Sequence, residues 1–241
     1  MNIRTIIQAR LGSTRLPNKV IAELIGTENS ISIMDSRIKN PVWCFPDTET
    51  QMWLKLFEFK QYNRILRDDD YYFGSEQDVL SRYHQSIDFL DLDHIVRVTS
   101  DCPIINQDVI DILVKNHLKH GNDFTYYTGD VHGLNCEIFT RDALHRSHLG
   151  ATKPEHREHV SDYILDNFRT FKVGIIGDYE LKLDLQKHYR LTLDYKEDLI
   201  MLRGVFGELW TPCRPQFTVQ EVIDLLERKP WIKEINERWN E

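Results

Sequence analysis

A chain of 241 residues is long enough to bury a full core, as one large domain or two small ones. Its 41% hydrophobic and 28% charged residues are ordinary for a globular protein, and a net charge of -8 argues against bulk nucleic-acid binding, which depends on phosphate neutralisation. No apolar run reaches the length of a membrane span, Arg4 interrupts the start before a signal-peptide core could form, and Cys44, Cys102, Cys136 and Cys213 make no C-x-x-C pair, so a cytoplasmic protein with reduced thiols is expected.

Ile3, Ile6 and Ile7 predict a buried strand that runs directly into the loop of IIQARLGSTRLPNK, residues 6–19. Arg10, Arg15 and Lys19, with Gly12, Ser13 and Thr14, suit a polyphosphate: glycine permits close approach, N–H groups can cradle oxygens, and the cations neutralise charge. A bare basic surface turn has the same composition. Position favours the ligand, because open α/β sheets bind beyond the carboxyl ends of their strands. The loop is neither a P-loop nor a dinucleotide fingerprint, since Gly12 stands alone.

Ile31, Met34 and Ile38 recur at helical spacing within residues 20–40, with Ser30 or Ser32 as the cap. Val42 to Phe45 reads as a strand closed by Pro46. Asp47 to Lys60 reads as a helix with Met52, Leu56 and Phe59 on one face, and Arg64 to Leu66 as a short strand. In residues 74–90, Ser75 can cap a helix that turns Val79, Leu80, Tyr83, Ile87 and Leu90 to the core. Ile95, Val96 and Val98 make the next strand, and Asp101 lies just past its end. A carboxylate there can hold a divalent cation, and it can equally be a solvated turn residue capping the following helix. A helix over residues 108–120 ends at Gly121, and strands follow at residues 123–127 and 171–176. Residues 177–187 read as a loop. A strand at Tyr189 then ends on Asp194 before a helix from near Lys196, and Val219, Val222, Leu225 and Leu226 begin a C-terminal helix with a second short one after Pro230. Three histidine pairs spaced by three (His117/His120, His145/His148, His156/His159) could each offer zinc two ligands, but no third is evident. The alternation of strand and helix predicts an α/β fold, a mainly parallel sheet with helices on both faces.

The loop resembles the nucleotide-binding signature of cytidylyltransferases that make CMP-activated sugar acids. Within these it is most similar to the spore coat polysaccharide biosynthesis protein F family, whose loop reads close to QARxGSTRLPGK. Asn18 replaces the usual Gly, and Asn is the residue that next best tolerates a left-handed backbone. Ser75, Asp78, Leu80 and Arg82 match the family's G-S-x-x-D-V-L-x-R, while Arg97, Thr99, Asp101 and Pro103 match R-x-T-x-D-C-P-L, with Ser100 for Gly. Residues 132–139 resemble D-G-L-D-V-E-V-F, with His132 and Asn135 each replacing Asp. Arg157 to Val160 matches R-E-H-V. Arg190, Thr192 and Asp194 match R-x-T-x-D-T-P-E-D-L, with Tyr195 and Lys196 in place of Thr-Pro. The likeness runs nearly end to end and is weakest over residues 40–70.

The resemblance implies a Rossmann-like, GT-A-like nucleotidyltransferase sheet in one domain, with residues 133–187 as an acceptor or dimerisation element and a homodimer as the assembly. It implies transfer of CMP from CTP to an acidic 2-keto sugar, with Mg²⁺ on Asp101 and Asp194. Arg10, Arg15, Lys19 and Asp101 would be catalytic. Gln8, Ala9, Gly12, Ser13, Ser75, Asp78, Arg82 and Thr99 would line the nucleotide. Gly133, Asn135, Glu137, Arg157, His159 and Arg190 would face a small anionic sugar acceptor. Because His132 and Asn135 change the acceptor side, a sugar phosphate or polyol phosphate acceptor stays open, as does a non-catalytic nucleotide-binding protein of the same fold.

Overall fold

The computed structural model describes residues 1–58, 69–185, 187–211 and 213–239. Its strands in chain order are β1 (Ile3–Gln8), β2 (Glu23–Ile25), β3 (Glu28–Asn29), β4 (Val42–Pro46), β5 (Tyr71–Gly74) and β6 (His94–Thr99). They continue with β7 (Phe124–Tyr127), β8 (Val131–His132), β9 (Cys136–Thr140), β10 (Val173–Ile176) and β11 (Tyr189–Arg190). Seven of them build the central sheet in the order β10-β7-β9-β6-β1-β4-β5. β1, β4, β5 and β6 are parallel, whereas β9 runs antiparallel to both β6 and β7, and β10 is parallel to β7. Residues 133–187 therefore contribute two strands to the common sheet, with β9 inserted between β6 and β7.

Side chains alternate across the strands, so one apolar run feeds two cores. Ile7, Trp43, Val96 and Ile138 face a layer with α1 (Ser30–Arg37), α4 (Gln107–His120), α9 (Lys196–Leu209) and α10 (Val219–Arg228). Their neighbours Ile6, Val42, Ile95 and Phe139 face the other layer, with α3 (Val79–Phe89), α5 (Arg141–Gly150) and Ile164 of α7 (Asp162–Asp166). The helices on both faces are thus a direct consequence of period-two burial.

Helix ends shift from the sequence reading by a residue or a few. Asn29 caps α1, closing a capping box with Ser32, and Asp78 caps α3 while the Ser75 hydroxyl accepts from Asp78 N–H. Asn106 caps α4, which removes a capping role from Asp101. Gly121 ends α4 in the left-handed conformation, as the sequence suggests. α2 (Thr50–Glu58) differs in its face: Met52 is 55% exposed, while Trp53 is fully buried and stacks on Phe45 with centroids 4.2 Å apart. Phe59 and the strand expected at 64–66 lie outside the described residues. β5 pairs with β4 and was not legible as a strand, and the expected loop at 177–187 holds a one-turn helix, α8 (Asp178–Leu181). Two short helices, α6 (Pro154–Glu158) and α11 (Pro230–Lys233), complete the α-helices among the described residues.

Candidate functional site

The carboxyl ends of β1 and β6 lie side by side, tied where Ser100 N–H donates to the Gln8 carbonyl at 2.9 Å. The loop leaving β1 folds back on itself through Asn18, which sits at φ 57, so the αL conformation that would favour glycine is met by asparagine. That turn delivers Lys19, which is buried, beneath the end of β6. Its Nζ donates to Asp101 Oδ2 at 2.8 Å and to Asp194 Oδ1 at 2.9 Å. The second aspartate arrives along an extended segment after β11: Leu193 N–H and the Thr192 hydroxyl both donate to the Asp101 carbonyl, at 2.8 and 3.2 Å. Arg15 donates to Asp194 Oδ1 at 2.6 Å, and Arg190 reaches the other oxygen, Oδ2, at 3.2 Å.

One ammonium thus bridges two carboxylates, and one of those carboxylates gathers three cations. Burial disfavours the charged forms of Lys19 and Asp101, but each outweighs it in the other: Asp101 and then Asp194 raise the Lys19 pKa, and Lys19 lowers that of Asp101. Arg15 is raised through Tyr195 first and Asp194 after it. Arg15, Lys19 and Asp101 therefore stay ionised at neutral pH.

Behind it stands Asp198 at the start of α9, fully buried. Its carboxylate accepts from Arg190 Nε (2.9 Å) and Nη2 (3.1 Å), from the N–H groups of Asp194 and Tyr195 (both 2.9 Å), and from Asn236 Nδ2 (2.8 Å). Tyr195 stacks on Trp239 with centroids 3.8 Å apart and planes 2° from parallel.

Residues 5–28, the strand and loop, match a family model described as "Cytidylyltransferase". The chain is 31% identical over 240 residues to the spore coat polysaccharide biosynthesis protein SpsF of Bacillus subtilis (strain 168), covering 95% of each chain. The chain belongs to the SpsF family of cytidylyltransferases. Among solved structures, a cytidylyltransferase from Leptospira borgpetersenii superposes with a TM-score of 0.83 at 26% identity, covering 97% of both chains. A CMP:2-keto-3-deoxy-manno-octonic acid synthetase complexed with CTP shares the fold, with a TM-score of 0.60 at 13% identity over 86% of this chain and 99% of that one.

The SpsF-family loop uses its backbone differently from the sequence expectation. Leu11 N–H and Gly12 N–H do not face open space; both donate to the Glu49 carboxylate, at 2.9–3.0 Å, which also accepts from Trp53 Nε1 at 2.9 Å. Ala9 N–H is taken by the Cys44 carbonyl at 3.1 Å. Arg10 is exposed, and with Gln8, Ser13, Arg15, Lys19, Thr99 and Asp101 it lines a cavity of about 250 Å³. These seven expected residues are brought together.

The other expected residues divide. Asp78 and Ser75 shape the start of α3, and Asp78 pairs with Arg157 at 3.4 Å. Arg157 also donates to the Ala151 and His148 carbonyls, so it fastens α6 to α5. Arg82 is buried beside Cys44 and Gly74, and its Nε and Nη1 have no hydrogen-bond partner among the described residues. Glu137 pairs with Arg97 at 2.6 Å and accepts from the Ser161 hydroxyl at 2.7 Å, and Arg97 reaches the Gln8 side chain at 3.3 Å. His159 is exposed at the end of α6. Gly133 packs by necessity: at φ +114, a Cβ there would lie 2.6 Å from the Leu191 carbonyl carbon. Asn135 accepts from Gly133 N–H at 3.3 Å. Glu49, Asp198, Asn236 and Trp239 were missed because only tertiary contact brings them here. Asp198 alone had a local signal, as the N3 residue of a helix whose start was legible.

Proposed function

We propose that this SpsF-family enzyme transfers CMP from CTP to an acidic 2-keto sugar, of nonulosonic or Kdo-like type, releasing pyrophosphate for surface polysaccharide synthesis. The observation that carries the reading is the Lys19 ammonium shared by Asp101 and Asp194 beside Arg15, at the strand ends that the phosphate-type loop leaves. Complexation of a structural neighbour with CTP supports the donor.

An acceptor hydroxyl attacks the α-phosphorus in line, the P–O bond to the β-phosphate breaks, and the hydroxyl proton passes to solvent or a nearby base. Such a reaction runs on positioning and charge neutralisation. Arg10, Arg15 and Lys19 hold the β- and γ-phosphates and stabilise the leaving pyrophosphate. Gln8, Ala9, Gly12, Ser13, Ser75, Asp78, Arg82 and Thr99 form the nucleotide side, and Gly133, Asn135, Glu137, Arg157, His159 and Arg190 the acceptor side. Two carboxylates close enough to share one ammonium fit Mg²⁺, which takes one or two protein carboxylates plus phosphate and water oxygens. Asp101 and Asp194 would hold it, and when bound it supplies Lewis-acid stabilisation of the α-phosphate. The protein is proposed to be a single domain and a homodimer, with exposed Ile175 in the edge strand β10 and Tyr179 in the adjoining α8 supporting an interface there.

A second reading keeps the chemistry and takes a sugar phosphate or polyol phosphate, supported by His132 and Asn135 on the acceptor side. Pyrophosphate release with CTP and Mg²⁺ over a panel of nonulosonic acids, a 3-deoxy-octulosonic acid and sugar and polyol phosphates decides between them. Release with a keto acid that vanishes in Asp101→Ala supports the first reading, release with phosphates alone supports the second, and silence across the panel sinks both.

A further inference from the structure

Two positions where this chain departs from the family pattern, His132 and Tyr195, line the same cavity. It measures about 450 Å³ and is completed by Arg15, Arg190, Asp194, Arg238 and Trp239. Three guanidinium groups converge on it. Arg15 lies over the Tyr195 ring at 5.1 Å, Arg190 at 5.5 Å, and Arg238 over the Trp239 ring at 4.8 Å. The Tyr195–Trp239 stack thus forms a stiff wall that sets the guanidinium positions.

His132 adjusts the charge. Arg190 Nη1 lies 3.1 Å from His132 Nδ1, and since an arginine can only donate, that nitrogen must accept. Aspartate, the family residue at this position, would set a third carboxylate against Arg190, beside Asp194 and Asp198. Here a neutral acceptor takes its place, so the three arginines meet Asp194 within the lining and, behind it, Asp198 on Arg190 and Glu197 on Arg238.

The cavity also lies on a defined side of the reaction centre. Asp194 separates it from the loop cavity: Oδ1 faces Arg15 and Lys19, and Oδ2 faces Arg190. In-line transfer needs the nucleophile and the pyrophosphate on opposite sides of the α-phosphorus. With the triphosphate along the loop, the Arg190 side is left for the incoming group.

We infer that the cavity of His132, Arg190, Tyr195, Arg238 and Trp239, bordered on the loop side by Arg15, is a subsite for the acceptor's oxyanion. It takes a carboxylate or a phosphate monoester in the fork geometry that guanidinium groups favour. The inference deepens the function proposed above and rests on it for the identity of the acceptor, and it adds Arg238 and His132 as specificity-determining residues.

The test follows binding by calorimetry. A 3-deoxy-octulosonic acid and glycerol 3-phosphate are each titrated onto the protein alone and onto the protein saturated with Mg²⁺ and an α,β-methylene analogue of CTP. One of the two is expected to bind without displacing the analogue. Arg238→Gln and His132→Asp should each weaken that anion about tenfold while changing analogue affinity less than twofold. The acid that binds names the acceptor class. Displacement of the analogue would assign the cavity to the triphosphate and overturn the inference, as would binding of neither anion or indifference to both substitutions. Failure of the analogue to bind wild type would instead overturn the nucleotide reading, with the titrations on the protein alone still deciding the cavity.

Discussion

Removing the Asp198 carboxylate should cost more than removing any single group that faces the substrate. Asp198 is fully buried and accepts five hydrogen bonds from Arg190, Asp194 N–H, Tyr195 N–H and Asn236. Breaking a buried ion pair by deleting one partner costs about 3–5 kcal/mol, and losing a helix-start acceptor about 1 kcal/mol more. Arg190 keeps Asp194 at 3.2 Å, which places the loss near the lower end. Asp198→Ala is therefore expected to destabilise by about 4 kcal/mol, a fall in Tm of roughly 8–16 °C for a chain of this size. Asp198→Asn keeps one acceptor but turns an NH₂ toward N–H donors, so it should recover only part of the loss. Urea denaturation followed by circular dichroism measures both. A loss below about 1 kcal/mol for Asp198→Ala would refute the claim that this carboxylate is what holds Arg190 and the start of α9 in place.

Glu49→Ala leaves Leu11 N–H, Gly12 N–H and Trp53 Nε1 without their acceptor; stability should fall by about 2 kcal/mol, with a raised KM for CTP, and an unchanged KM would show that the tether does not shape the loop. Gly133→Ala forces a Cβ against the Leu191 backbone and should destabilise by more than about 3 kcal/mol, read as a lower urea midpoint. His117 is fully buried between His94 and Thr125, and burial lowers its pKa to about 4. A depressed histidine favours the neutral folded form, so its contribution is complete above pH 6.5 and is lost as the pH falls from 6.5 toward 4, by up to about 3 kcal/mol. His117→Gln should flatten that part of the stability–pH curve, and an unaltered slope would count against the assignment. Lys19→Met should cut turnover by roughly 100- to 1,000-fold, the scale set by losing one preorganised donor, while wild-type turnover at neutral pH stays flat because the Lys19 pKa is raised.

The phosphate-type loop, Asp101 and Asp194 were legible because each follows an apolar strand and needs only local reading. The expectation of two strand-end aspartates on one sheet holds for Asp101 alone: Asp194 lies four residues past β11, which pairs with β8 outside the seven-stranded sheet, and Leu193 N–H on the Asp101 carbonyl is what brings the two together. What escaped was tertiary. The face of α2 is set by Phe45, which draws in Trp53 and leaves Met52 in solvent. The use of the loop's N–H groups depends on Glu49, 38 positions from Leu11. Arg157 matched a motif yet braces two helices through the Ala151 and His148 carbonyls. A motif match places a residue type, and the neighbours decide what its donors do.

The bonds from Arg15 and Lys19 to Asp194 join positions 179 and 175 residues apart, and Asn236 and Trp239 close over the same spot. A chain emerging from the ribosome has its loop and Asp101 early and can pair Lys19 with it, yet lacks Asp194, and then the residues near 239, that complete the centre. Loop-closure entropy rises only slowly with length, so the cost is one of time more than of stability. Competence for chemistry should therefore be the final event of folding, and a truncated or stalled chain would carry the signature loop without an assembled centre behind it.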